Sequence, residues 1–158
     1  MQAFVMADQT CAPLGAVCFS YLPTDHWRVS IQSTLLPRWP YLLNAAVLIT
    51  HEIDSAYWHE WTLFGLPGGI QVFLGLNLAL VLVILYGLQA LVRGSFSGLV
   101  LSWALVAGGL FAAIVHLFFL LQGDAAFRLP VSLALLVATF VFSLVQAATL
   151  FGARKAAR

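Results

Sequence analysis

The residues of this chain that could carry out chemistry are concentrated in residues 51–61, which read His-Glu-Ile-Asp-Ser-Ala-Tyr-Trp-His-Glu-Trp. This stretch contains three of the six acidic residues and two of the four histidines, although only 8% of the chain is charged. Carboxylates and imidazoles are common agents of proton transfer, and both bind metal ions. Because ionisable groups are costly in apolar surroundings, such a cluster predicts a functional site.

Metal binding is one chemistry that these residues allow. His51 and Asp54 are three residues apart and would lie on one face of a helix, and His116 offers a second imidazole from another segment. Two histidines and a carboxylate form a ligand set used for non-haem iron, and zinc accepts the same ligand types. A mononuclear metal is therefore one cofactor hypothesis, with His51, Asp54 and His116 as its ligands.

Proton chemistry without a metal is a second hypothesis, in which an acid acts as the base and a histidine as its partner on a lipid-soluble substrate. The catalytic candidates are His51, Glu52, Asp54 and His116. Proton-linked transport of a small molecule is a third hypothesis, although the chain lacks the internal repeat of many transporters. The plainest alternative, which the sequence favours, is an accessory or scaffold subunit whose buried polar groups bond to its own helices or to a partner.

Long apolar segments must position these residues. Residues 70–92, 98–121 and 129–151 contain no Asp, Glu, Lys or Arg. At 1.5 Å per residue each would form a helix of about 35 Å, which is longer than a hydrocarbon core of about 30 Å. The mean hydropathy of +0.97 excludes an ordinary soluble domain. The three segments are therefore predicted to be transmembrane helices.

A fourth span is predicted over residues 39–61, although only residues 41–50 are continuously apolar. Trp39 at its start and Trp58 and Trp61 at its end suit the two membrane interfaces, where aromatic side chains are enriched. From Trp39 to Trp58 a helix would rise about 30 Å. A shorter segment that ends near His51 is the alternative.

These features predict an all-α, polytopic membrane protein with a bundle of four transmembrane helices. The predicted segments are a poorly ordered extension at 1–37, spans at about 39–61, 69–93, 97–122 and 129–152 within a domain at 38–153, and a basic tail at 154–158. Six of the seven Lys and Arg residues fall on the side of the termini, so the positive-inside rule predicts both termini in the cytoplasm and a multi-pass protein of the inner membrane. The expected partners are the lipid bilayer and either a membrane protein or further copies of the chain. A net charge of +1 argues against nucleic acid.

Helical phase and depth predict where the polar side chains meet. On a helical wheel one polar stripe comprises Ser132, Thr139, Ser143 and Gln146. The stripe of the first span comprises Asn44, His51, Ser55 and Thr62, and the third span has a face of small residues at Ala104, Gly108, Ala112 and His116. We expect His51, Asn77 and His116 to converge below the loop at residues 65–69. The further pocket candidates are Asn44, Ser55, Trp58, His59 and Asn77.

The motif His-Glu-x-Asp, followed by Tyr-Trp-x-Glu-Trp and Leu-Pro-Gly-Gly, resembles a family of short bacterial integral membrane proteins that is classed only as a domain of unknown function. The resemblance covers residues 38–151 and implies four spans, without a known activity. A looser likeness connects the chain to membrane proteins with a His-x-x-Glu-Glu motif. Here Asp54 and Ser55 occupy the two Glu positions, which weakens the case for a paired-acid mechanism.

Overall fold

The structure, a computed structural model, describes residues 38–123 and 128–156, and these residues are mostly helical with no β-strand among them. The helices are α1 (Arg38–Tyr57), α2 (Glu60–Leu63), α3 (Gly69–Val92), α4 (Phe96–Leu121) and α5 (Pro130–Ala156). The predicted extension at residues 1–37 lies outside the described residues. Its order therefore stays a prediction.

Three of the helices are long and apolar enough to cross a membrane. They are α3, α4 and the segment Pro130–Ala153 of α5, with 24, 26 and 24 residues. At 1.5 Å per residue the shortest is about 36 Å long. At most 28% of the most apolar stretch of any of them is buried within the protein, so most of their apolar surface is left for lipid. The three apolar spans predicted from the sequence are confirmed.

The first predicted span differs from the other three in composition and in where it ends. Helix α1 stops at Tyr57, whereas the sequence predicts a continuous helix to residue 61. His59 adopts a left-handed conformation, with φ 55° and ψ 45°, and the short helix α2 follows it. A left-handed residue cannot continue a right-handed helix, so the chain changes direction at this position.

The directions of the long helices follow from contacts at the two ends of α1. Near its start, Arg38 Nη2 donates to the carbonyl oxygen of Val92, at the end of α3, over 3.3 Å. Beyond its end, Trp58 Nε1 donates to Ser132 Oγ, in the first turn of α5, over 3.2 Å. Helix α1 is therefore antiparallel to both α3 and α5. It packs against α3, α4 and α5, while α4 packs against α3 and α5.

Close approach between the helices depends on glycines at particular positions. Tyr41 is buried and its hydroxyl donates to the carbonyl oxygen of Ile84 over 2.8 Å. Gly87 makes room for this ring, because a Cβ atom there would collide with the tyrosine hydroxyl. On α4, Gly109 is buried beside Ser143, whereas Gly108 is exposed and a Cβ atom there would have open space around it. Of the predicted small-residue face of α4, His116 is buried and Ala112 packs against the core, whereas Ala104 and Gly108 are exposed.

Candidate functional site

One group of polar side chains joins α1, α4 and α5 and is fully satisfied; we call Asn44, Ser143 and Gln146 the amide network. Asn44 Nδ2 donates to Gln146 Oε1 over 2.8 Å, and Ser143 Oγ donates to Asn44 Oδ1 over 3.2 Å. Gln146 Nε2 donates to the carbonyl oxygen of Ser102 over 3.1 Å. All three side chains are fully buried, so the network links helices rather than contacting a ligand.

The predicted polar stripe of α5 is confirmed, because its four members are fully buried. Ser132, the first of them, connects two residues of the α1 region. It donates to Asp54 Oδ1 over 2.9 Å and accepts a hydrogen bond from Trp58 Nε1 over 3.2 Å. Asp54 and Trp58, both candidates from the sequence, are therefore engaged in holding α1 against α5.

Of the three residues expected to converge, the structure brings His51 and His116 together, whereas Asn77 lines a cavity whose lining includes neither histidine. The rings of His51 on α1 and His116 on α4 are edge to face, with centroids 4.6 Å apart and an interplanar angle of 82°. The exposed fractions are 0% for His51 and 2% for His116. His51 follows Asn44 by two helical turns, so it belongs to the buried stripe that the sequence predicts for the first span.

A carboxylate that the sequence did not single out completes this arrangement. Glu60, the first residue of α2, places Oε1 3.5 Å from Nε2 of His116. The other ring nitrogen of His116, Nδ1, is 2.7 Å from the carbonyl oxygen of Ala112. A carbonyl oxygen only accepts hydrogen bonds, so Nδ1 carries a proton. The contact between Nε2 and Glu60 then depends on one further proton, which either partner can hold.

Two cavities adjoin this pair. The larger has a volume of about 360 Å³, and its lining residues are Glu52, Glu60, Trp61, Phe64, Leu66, Phe73, Leu76, Asn77 and Leu80. The smaller, of about 210 Å³, shares Glu52 and Glu60 with it and reaches His116. Asn77 donates to the carbonyl oxygen of Phe73 over 3.1 Å and also interacts with the Glu52 carboxylate. We call Glu52, Glu60, His51 and His116 the carboxylate–histidine site.

The other candidates lie apart from this site or only beside it. Ser55 is fully buried one helical turn after His51. His59 is exposed and lines neither cavity; its ring contacts Trp61, with centroids 5.0 Å apart. Asn44 belongs to the amide network. His59 thus contributes a backbone turn, and its ring lies outside the pocket in which the sequence placed it.

The sequence did not identify Glu60 as a site residue because its position depends on the break in the helix at His59. In an uninterrupted helix, nine residues after His51 correspond to a rotation of about 180°, so Glu60 would have pointed away from the histidines. The aromatic residues Trp58 and Trp61 around it also favour the membrane interface over a buried site. No local signal marks His59 as left-handed, since Gly or Asn would be the usual residue there.

The three proposed metal ligands are not assembled as a group. Within residues 38–123 and 128–156, no three side chains of His, Cys, Asp or Glu are arranged to hold a metal ion. His51 and His116 are together, whereas Asp54 bonds to Ser132. A mononuclear metal bound by these residues stays a prediction.

Comparison with known proteins identifies a family but no activity. None of the curated proteins and none of the solved structures matches the chain. Residues 37–153 match the model of a family described as a family of unknown function, DUF6713, and this match includes the whole carboxylate–histidine site. The chain therefore belongs to DUF6713, a family of unknown function.

Proposed function

We propose that this small membrane protein crosses the inner membrane four times, and that it binds a lipid-soluble small molecule beside Glu60 and exchanges a proton at the Glu60–His116 pair as the molecule binds. The enzyme and carrier hypotheses from the sequence share this step. In both, a titratable pair inside the membrane gains or loses a proton when a molecule binds beside it.

Helix α1 is the proposed fourth span. Its 20 residues correspond to a rise of about 30 Å, which matches the hydrocarbon core. Contacts run along its length, from Arg38 with the end of α3 to the Asp54 bond with α5. Its charged residues are tolerable at this depth because Asp54 and Glu52 face protein groups or cavities rather than lipid.

The orientation that we propose has both termini in the cytoplasm. It follows from the six basic residues on that side against Arg128 alone on the other. Reporter fusions test it: a fusion after residue 158 should be active as a cytoplasmic reporter, and one in the loop at residues 65–69 as a periplasmic reporter. A periplasmic signal from the C-terminal fusion would contradict the orientation.

The observation that carries the functional proposal is the contact of 3.5 Å between Glu60 Oε1 and His116 Nε2. Because His116 Nδ1 bonds to the carbonyl oxygen of Ala112, Nε2 is the ring nitrogen that can exchange a proton with Glu60. Glu60 also lines both cavities, so it connects the buried pair to the space that a ligand would fill. The Glu60 carboxylate also interacts with the buried hydroxyl of Ser55, one helical turn after His51.

Nitrogen-15 spectroscopy of histidine-labelled full-length protein in lipid nanodiscs tests the pair. We expect His116 to show a protonated Nδ1, and its Nε2 resonance to move when Glu60→Gln removes the carboxylate. Asp54→Asn is the matched control, because Asp54 lines neither cavity, and it should leave the His116 resonances in place. Unchanged His116 resonances in Glu60→Gln would refute the shared proton.

An accessory or scaffold role is the second candidate, and the amide network favours it. Its hydrogen bonds and the Asp54–Ser132 bond connect helices and leave no ligand-binding surface among them. In this role Asp54→Asn should lower stability or assembly with a partner. Extraction of the wild-type protein in mild detergent as a lone monomer would argue against the role.

A further inference from the structure

We infer that the ligand of the larger cavity is a small lipophilic cation, an amine or a quaternary ammonium compound that carries apolar groups. This inference rests on the proposed function and specifies its ligand. It is drawn from the charge, the aromatic rings and the volume of the cavity, each of which is a separate feature of the lining.

The charge of the lining favours a cation. Glu52 and Glu60 provide carboxylates, and no Lys or Arg of residues 38–123 or 128–156 lines this cavity. An ionised carboxylate only accepts hydrogen bonds, and in apolar surroundings it requires a partner of opposite charge. A monovalent cation beside these two carboxylates would compensate the negative charge that either of them carries when ionised, whereas an anion would be repelled by that charge.

The aromatic rings of the lining favour a cation that is also apolar. Trp61 and Phe73 contact each other at a ring-centroid distance of 5.4 Å and a tilt of 54°, and Phe64 lines the same cavity. Ring faces attract ammonium groups, and tryptophan does so most strongly. Leucines complete the lining, at Leu66, Leu76 and Leu80. Aromatic rings beside a carboxylate thus match an ammonium group with hydrocarbon substituents better than a hydrated metal ion.

The volume limits the size of the ligand. About 360 Å³ lies at the lower end of the range of small-molecule pockets, which begins at about 300 Å³. A compound with one aromatic ring and one ammonium group is of suitable size, whereas a whole phospholipid is not. Because the cavity is partly open, such a compound can reach it without unfolding of the helices.

Binding of three matched probes to the full-length protein in nanodiscs tests the inference. Benzyltrimethylammonium is the cation, neopentylbenzene has the same shape without the charge, and phenylacetate is an anion of similar size. We expect saturable binding of the cation, at least about tenfold tighter than that of either other probe. Equal affinity for neopentylbenzene, or no saturable binding of the cation, would overturn the inference.

Variants locate the binding. Glu52→Gln leaves the Glu60–His116 pair intact and should lower the affinity for the cation by at least about tenfold. Trp61→Leu should lower that affinity by a smaller factor. Asp54→Asn, which removes a carboxylate outside the cavity, should leave the affinity within about twofold. Unchanged affinity in Glu52→Gln, with a folded protein by circular dichroism, would place the cation elsewhere and overturn the inference.

Proton release, followed with an indicator dye in weak buffer, separates this inference from the proposed function. Release of protons on cation binding by the wild type supports both. Saturable binding without proton release supports the cation inference and overturns proton exchange. If the His116 resonance responds to Glu60→Gln but no saturable cation binding is found, the shared proton of the Glu60–His116 pair is supported and the cation inference is overturned.

Discussion

The amide network and the carboxylate–histidine site are both buried, polar and built between α1 and its neighbours, yet they differ in chemistry. The side chains of the amide network are neutral at every pH, and their hydrogen bonds are made within the protein. In the carboxylate–histidine site the side chains are titratable, and Glu52, Glu60 and His116 line one or both of the two cavities. A satisfied neutral network stabilises one arrangement of helices, whereas a titratable pair beside a cavity can change its protonation when a ligand arrives.

The largest effect on stability is expected from a substitution that places an extra atom against the side chains of the amide network. Gly109→Ala adds a Cβ atom that collides with Ser143 Oγ, so the bond from Ser143 to Asn44 is disrupted. We expect the free energy of unfolding in detergent to be about 1–3 kcal/mol lower than that of the wild type. The same substitution one residue earlier, Gly108→Ala, meets open space and should be neutral or stabilising, by up to about 1 kcal/mol. Equal effects of the two alanines would contradict the packing at Gly109.

Removing one partner of the amide network should have the next largest effect. Asn44→Leu removes the donor to Gln146 Oε1 and the acceptor for the Ser143 hydroxyl, both in buried positions, at a cost of about 1–2 kcal/mol. The double variant Asn44→Leu with Gln146→Leu should be less destabilised than the sum of the single variants, because it removes both amides. The measurement is a double-mutant cycle of unfolding free energies. Strict additivity would show that the two amides do not interact.

Much of the contrast between the two regions could be predicted from the sequence, because helical periodicity fixes which side chains share a face. The stripe from Ser132 to Gln146 is buried as its spacing predicts. The meeting of His51 and His116 also followed from depth and phase. Periodicity succeeds here because α1, α4 and α5 are regular between their ends.

The features of the structure that could not be predicted each depend on one backbone conformation or on one packing arrangement. Gly109 rather than Gly108 approaches α5, and neighbouring residues differ by only 100° around the helix. Glu60 reaches His116 only because the chain turns at His59. The packing at Gly109 depends on how α4 and α5 are rotated about their axes. The position of Glu60 depends on a left-handed residue that the sequence does not mark.

A change in the carboxylate–histidine site should separate function from stability. Glu60→Gln keeps the size of the side chain and removes the charge, and its amide can still form a hydrogen bond with His116 Nε2, so we expect the unfolding free energy to change by less than about 1 kcal/mol. Proton release on binding of benzyltrimethylammonium should fall at least about fivefold, because the carboxyl that exchanges with His116 is gone. Gln146→Leu is the opposite control: it should lower stability and leave the proton release per bound cation unchanged. If Glu60→Gln lowered stability as much as Asn44→Leu does, the two regions would not differ in the way proposed.

An effect that depends on the backbone conformation of a single residue is expected at the turn that brings Glu60 into the site. His59 is the only non-glycine residue with a positive φ among residues 38–123 and 128–156, and its side chain is exposed. His59→Gly relieves the left-handed conformation but makes the unfolded chain more flexible, so the net gain should be at most about 1 kcal/mol. His59→Val, which is β-branched, should instead cost about 1–2 kcal/mol and loosen the contact between Glu60 and His116. Thermal unfolding and the His116 resonances measure the two consequences on the same samples. A valine variant as stable as the glycine variant would show that residue 59 is not left-handed, and the position of Glu60 would then need another explanation.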